Sequence, residues 1–146
     1  MALRYGLEGG GVEPEGIVSA IPYFWGEVPL SDIEKVPPIR KSVEGLWKLA
    51  LPTASNLDDP VINPEKDTDL GKLGAKKMLI CSAEKDIFRA RAWFYYDILK
   101  KSGWPGQVKI WEAEGAEHNF YLDHPETDNS RAMMKIVSQF LNGQDV

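Results

Sequence analysis

The sequence predicts an α/β fold: about three parallel strands with flanking helices, and an irregular Pro-rich insert between the first two strands. Three observations predict it. Short apolar runs rich in β-branched and aromatic residues alternate with helical periods, which is the order of a parallel sheet with right-handed crossovers. Most of the ten prolines fall between residues 22 and 64, so that stretch is expected to be irregular, with short helices at most. Hydrophobic residues make up 43% and charged residues 27% of 146, which fits one globular domain over 1–146.

The elements follow in order. "MALRY" at 1–5 reads as the last turn of a helix, ended by Gly6 and a glycine-rich run. "GIVSAIPYFWG" is a glycine-bounded apolar run, and a buried strand is expected near 17–23. Turns dominate 26–72, above all in "DDPVINPEKD", with one short amphipathic helix near 43–51. A second buried strand is expected near 78–82, inside "KKMLICSAEKD". The strongest helix covers 87–101, with apolar residues at 87, 88, 94, 95, 98 and 99, Lys100 and Lys101 in its last turn, and Gly103 as stop. A third strand is expected near 107–113, with Val108, Ile110 and Ala113 inward. A final helix near 128–142 would put Met133, Ile136, Val137, Phe140 and Leu141 on one side.

Charge and cysteine content narrow the function. A net charge of −5 argues against a nucleic-acid partner, because phosphate binding needs a basic footprint. A single cysteine, Cys81, excludes an internal disulfide and a cysteine-based zinc site, and points to a reducing compartment. No apolar run reaches the ~18 residues of a membrane span, and the N-terminus lacks a signal-peptide pattern. A cytoplasmic or nuclear protein is expected. No P-loop or G-x-G-x-x-G pattern occurs, so no cofactor is expected.

In open parallel sheets, ligands gather beyond the carboxyl ends of strands. Asp86 follows the second strand and His118 the third, so adjacent strands would bring the two together. A carboxylate that fixes an imidazole is the orienting half of a nucleophilic triad. The plainer readings stand beside it. By position alone Asp86 suits a helix N-cap, and a lone loop histidine suits the surface. His124, before Pro125, reads as a turn residue, and Glu84, Glu114 and Glu117 as solvated charges. His118, Asp123 and His124 match no metal-site spacing. No serine stands in a G-x-S-x-G turn. Ser19 and Ser82 fall in strands, Ser31, Ser42 and Ser55 in the insert, and Cys81 inside a strand where a thiol is inert. "EGGG" at 8–11 follows a helix and reads as linker rather than an oxyanion loop.

"IPYFWG", "DDPVINP" and the run from "LGAKKMLICSAEKD" to "GAEHNFYLDHPE" resemble the C-terminal half of the plant carboxylesterases. These are hormone-sensitive-lipase-like α/β-hydrolases, a branch that also holds 2-hydroxyisoflavanone dehydratases and gibberellin receptors. The resemblance implies a partial α/β-hydrolase domain whose triad runs Ser, Asp, His. It places the acid on Asp86 in "AEKD" and the base on His118 in "GAEHNF". The family's G-D-S-A-G serine and H-G-G-G loop would fall ahead of Met1. The resemblance therefore implies an ester hydrolase relative that holds two of three triad groups and is inactive alone. It implies a small apolar or aromatic ester substrate, a pocket walled by 24–60, and self-association through an exposed sheet edge. A non-catalytic binding module, a truncated paralogue, and half of a dehydratase-like enzyme are the alternatives.

Overall fold

A computed structural model of the protein describes residues 14–144. The expected helix end at 1–5 and the glycine-rich run up to residue 13 lie outside the described residues. Three strands, β1 (Gly16–Ala20), β2 (Lys77–Ala83) and β3 (Gln107–Ala113), form a parallel sheet in the order β1-β2-β3. Among the described residues four α-helices accompany them: α1 (Pro37–Ala50), α2 (Arg89–Lys101), α3 (Phe120–Asp123) and α4 (Asp128–Leu141).

Strand β2 is central and is buried from Met78 to Ala83, so its sequence is nearly continuous in apolar residues rather than alternating. The pleat sends successive side chains to opposite faces. Met78 and Ile80 join Leu70, Leu73, Ala92, Tyr95, Leu99 and Trp104 under α2, with Ile17, Val108 and Ile110 packed alongside. Leu79, Cys81 and Ala83 face the other way, against Met133 and Phe140 of α4 together with Ala113, Ala116 and Phe120. The register Ile17↔Met78↔Val108 keeps each row on one face. Val108 and Ile110 are thus inward on the α2 side, and Ala113 on the α4 side.

Several elements differ from expectation for identifiable reasons. Strand β1 stops at Ala20, short of residue 23, because Ile21 takes a positive φ of 47° and turns the chain out of the sheet. Its N–H still donates to Cys81 O at 2.9 Å. The insert holds a helix of 14 residues, α1, rather than a short one from 43. Pro37 and Pro38 open this helix instead of barring it, since the first turn needs no backbone N–H from them. Helix α2 begins at Arg89, after a turn at 86–88. Leu141 is 66% exposed and does not share the packed side of α4. The short helix α3 forms where a loop was expected.

The insert has its own small core. Trp25, Val43, Ile62 and Phe88 are buried together, with Tyr23, Ile39, Trp47 and Leu51 against them. A buried ion pair fastens the insert to α2. Arg91 Nη2 donates to Glu34 Oε2 at 2.6 Å, Arg91 Nε reaches both carboxylate oxygens, and Nη2 also donates to Val28 O at 2.7 Å. Both side chains are almost fully withdrawn from solvent, and the guanidinium lies 5.5 Å from the Trp25 ring centroid.

Candidate active site

The last residues of β2 and β3, Ala83 and Ala113, are direct partners in the sheet. The pairing continues past the strand ends. Glu84 N–H donates to Ala113 O at 3.1 Å, and Lys85 N–H to Ala116 O at 2.9 Å. The Glu84 carboxylate accepts the Gly115 N–H at 2.6 Å. Gly115 has a φ of +67°, a conformation that favours glycine, and there the chain reverses toward His118. Glu84, expected as a solvated charge, is exposed but bonded across two loops, a contact that depends on how the loops pair.

Asp86 divides its carboxylate between two partners. Oδ1 accepts the Phe88 N–H at 3.0 Å, and Oδ2 lies 2.9 Å from His118 Nδ1. Asp86 therefore organises the turn that leads into α2 and also contacts the imidazole, but it is not the expected N-cap, since the helix starts later, at Arg89, with Phe88 as its cap. Its side chain is 3% exposed, and that of His118 34%. A buried carboxylate requires donors, and the Phe88 N–H and the imidazole N–H supply them. A carboxylate can only accept, so the geometry suits the imidazole tautomer that carries its proton on Nδ1, the nitrogen facing Asp86. Asn119 follows in the left-handed region at φ 57°, which asparagine tolerates, and starts α3 at the buried Phe120.

Aromatic rings wall one side of the imidazole. Phe88 lies 5.3 Å from the His118 centroid and Tyr23 6.3 Å, and Tyr23 in turn contacts Phe88 and Trp47. Burial raises the Tyr23 phenol above its ordinary range. Tyr23, Asp86 and His118 come from beyond the carboxyl ends of β1, β2 and β3, so all three strand ends contribute. Neither Tyr23 nor Phe88 stood out singly in the sequence. Their signal was the aromatic content of "IPYFWG" and "DIF". A crevice of about 310 Å³ adjoins Asp86 between the insert and α2, lined by Ser31, Ile33, Ile87, Arg89 and Trp93. A separate groove of about 350 Å³ runs along α1 past Arg40, Trp47, Leu51 and Ile62. Both hollows draw lining residues from the 24–60 region.

The remaining candidates lie elsewhere. His124 is exposed, and its carbonyl accepts the Thr127 and Ser130 hydroxyls in the turn before α4. Among the described residues no three His, Cys, Asp or Glu side chains converge, so His118, Asp123 and His124 form no cluster. Glu114 and Glu117 are exposed. Ser19 and Ser82 lie in strands, and Ser102 donates to Leu99 O at the end of α2. Cys81 is fully buried, and burial pushes its thiol up to about 12. Among the described residues none of these hydroxyls or thiols bonds to His118. No described helix is long and apolar enough to cross a membrane.

These features define a parallel α/β protein with a paired carboxylate and imidazole at the carboxyl edge of its sheet. The family model described as the alpha/beta hydrolase fold matches residues 2–122, and the chain belongs to that family. It is 39% identical over 145 residues to a 2-hydroxyisoflavanone dehydratase of Glycyrrhiza echinata, covering 96% of this chain and 44% of that protein. It is 38% identical to the probable carboxylesterase 2 of Arabidopsis thaliana, covering 88% of this chain and 41% of the relative. The chain thus spans under half the length of these curated relatives. Among solved structures, a carboxyl esterase of the fungus Tuber melanosporum shares the fold with a TM-score of 0.70 at 22% identity, covering 93% of this chain and 46% of that one.

Proposed function

We propose that this chain carries the acid–base part of a serine-type carboxylic ester hydrolase. His118 is the general base and Asp86 its orienting acid. One observation carries the reading: the Asp86 carboxylate faces His118 Nδ1 at 2.9 Å beyond the ends of adjacent parallel strands. In that role Nε2 takes the proton of a serine hydroxyl as its oxygen attacks the ester carbonyl. It then returns the proton to the departing alcohol, and a water repeats the cycle to release the acid. Asp86 remains ionised and holds the imidazolium that forms. Tyr23, Phe88 and Trp47 suit an apolar or aromatic acyl group.

No serine of the chain stands in a G-x-S-x-G turn, so the nucleophile and oxyanion donors must come from another segment. The chain alone is expected to leave p-nitrophenyl acetate unhydrolysed. Fused behind the serine-bearing half of a carboxylesterase relative, it is expected to turn the ester over, and His118→Ala should lower kcat by about 10²- to 10⁴-fold. Turnover by the isolated chain that His118→Ala abolishes would refute its dependence on that half. Full activity of the fused His118→Ala variant would refute the base. The likeness to a dehydratase favours a second reading, elimination of water from a hydroxylated substrate, in which His118 takes a C–H proton as hydroxide leaves. Product analysis of the fused protein separates the two.

A further inference from the structure

We infer that Glu84 is a positioning residue for the Asp86–His118 pair. It is the clasp that fixes the loop carrying the imidazole to the loop carrying the carboxylate. The inference rests on the reading of that pair as acid and base.

The two loops leave neighbouring strands and would diverge without a connection. Two backbone bonds, Glu84 N–H to Ala113 O and Lys85 N–H to Ala116 O, bring them side by side. The bond from Gly115 N–H to the Glu84 carboxylate, at 2.6 Å, closes the point between these two where the His118 loop turns back. Gly115 sits there with a positive φ in open space, and as a glycine it has no side chain to anchor the turn. Glu84 is therefore the side chain that restrains the reversal from the Asp86 side. Its partner lies three positions before His118, and Glu84 itself lies two positions before Asp86. A shift at either end of this bond moves one member of the pair against the other. On the other side of Asp86, Arg89 makes a bidentate contact to Glu112 of β3 and Trp93 Nε1 joins it, so α2 is already tied to β3. Glu84 supplies the matching tie at the turn.

The geometry required is a carboxylate oxygen at the reach of a glutamate side chain. A glutamine keeps an acceptor at that reach, an aspartate falls short of it while keeping the charge, and an alanine removes it. The test is 15N NMR of the histidine rings in the 146-residue chain, at a pH where both imidazoles are neutral, with hydrogen exchange of the Gly115 amide. The Trp104 Nε1–H, which donates to Leu73 O and Ala75 O in the core, reports that the fold is intact. The native chain should show His118 as the Nδ1–H tautomer. Glu84→Ala and Glu84→Asp should both shift His118 toward the Nε2–H form and speed Gly115 exchange about tenfold. Glu84→Gln should restore both. If Glu84→Ala and Glu84→Asp leave the tautomer unchanged while Asp86→Asn alters it, the clasp is wrong and the pair stands. If Asp86→Asn also leaves the tautomer unchanged, the pair itself is wrong. Failure of Glu84→Gln to restore either signal would overturn the hydrogen-bond basis of the clasp.

Discussion

The ion pair between Glu34 and Arg91 offers the sharpest test of how the insert is held. Both side chains are almost completely buried, at 0% and 3% exposure. Glu34→Ala would leave the enclosed guanidinium without its carboxylate partner, with the Val28 carbonyl as its remaining hydrogen-bond acceptor among the described residues, and would deprive the Leu30 N–H of its acceptor at 3.1 Å. Breaking a buried pair from one side costs about 3–5 kcal/mol. At about 4 °C of melting temperature per kcal/mol for a domain of this size, a loss of about 4 kcal/mol lowers Tm by roughly 16 °C. The double change Glu34→Leu with Arg91→Met removes both charges and keeps apolar volume. Such replacements are neutral or stabilising by up to about 4 kcal/mol. Urea titration followed by tryptophan fluorescence suits the assay, since Trp25 lies against the Arg91 guanidinium. The single variant should shift the midpoint with an unchanged slope. A single-variant cost under about 1 kcal/mol would refute the reasoning. So would a double variant as unstable as the two single changes summed.

Three further outcomes are expected. Burial pushes the Glu112 carboxyl up, but the Arg89 and Trp93 hydrogen bonds and the Arg89 charge outweigh it and hold the group below its ordinary value. Its stabilising effect is therefore present above the unfolded-state value and lost as pH falls through the lower folded-state value. Glu112→Gln should flatten the acid limb of a stability-versus-pH curve, and an unchanged limb would count against the assignment. Cys81 should resist alkylation in the folded chain at mildly alkaline pH, with labelling measured by mass spectrometry proceeding at the rate of unfolding. Ile80→Ala, at a fully buried position between β2 and α2, should cost about 2–5 kcal/mol by urea denaturation, and its effect should add to that of a distant change on α4 such as Met133→Ala.

Elements with strong local signals were readable from the sequence. Strand β2 announces itself by "MLICSA", and α2 by its apolar spacing, its terminal lysines and Gly103. The start of α1 was not readable, because Pro37 and Pro38 carry one meaning inside a helix and the opposite one at its first turn. The early end of β1 rests on the backbone of Ile21, a β-branched residue whose identity gives no hint of a positive φ. At the site, Asp86 and His118 could be placed near each other from strand order alone. The double use of the Asp86 carboxylate could not, nor could the bond from Glu84 to Gly115, since each depends on the register between loops distant in sequence. The buried pair of Glu34 and Arg91 was equally hidden, as both residue types normally read as solvent-facing.

The link between β1 and β2 is much longer than the link between β2 and β3. Paired residues Gly16 and Lys77 are 77 − 16 = 61 positions apart, whereas Lys77 and Gln107 are 107 − 77 = 30 apart. Loop-closure entropy grows only with the logarithm of length, so this doubling adds about 0.6 kcal/mol. The crossover that walls the two hollows can therefore lengthen, shorten or be recomposed with little effect on the closure of the sheet. The shorter β2–α2–β3 unit holds Asp86 and His118 on its own. Tyr23 and Trp47 come from the long crossover, while Phe88, Ile87 and Trp93 come from the shorter unit, so the walls around Asp86 and His118 join a stretch free to vary in length to one that is not.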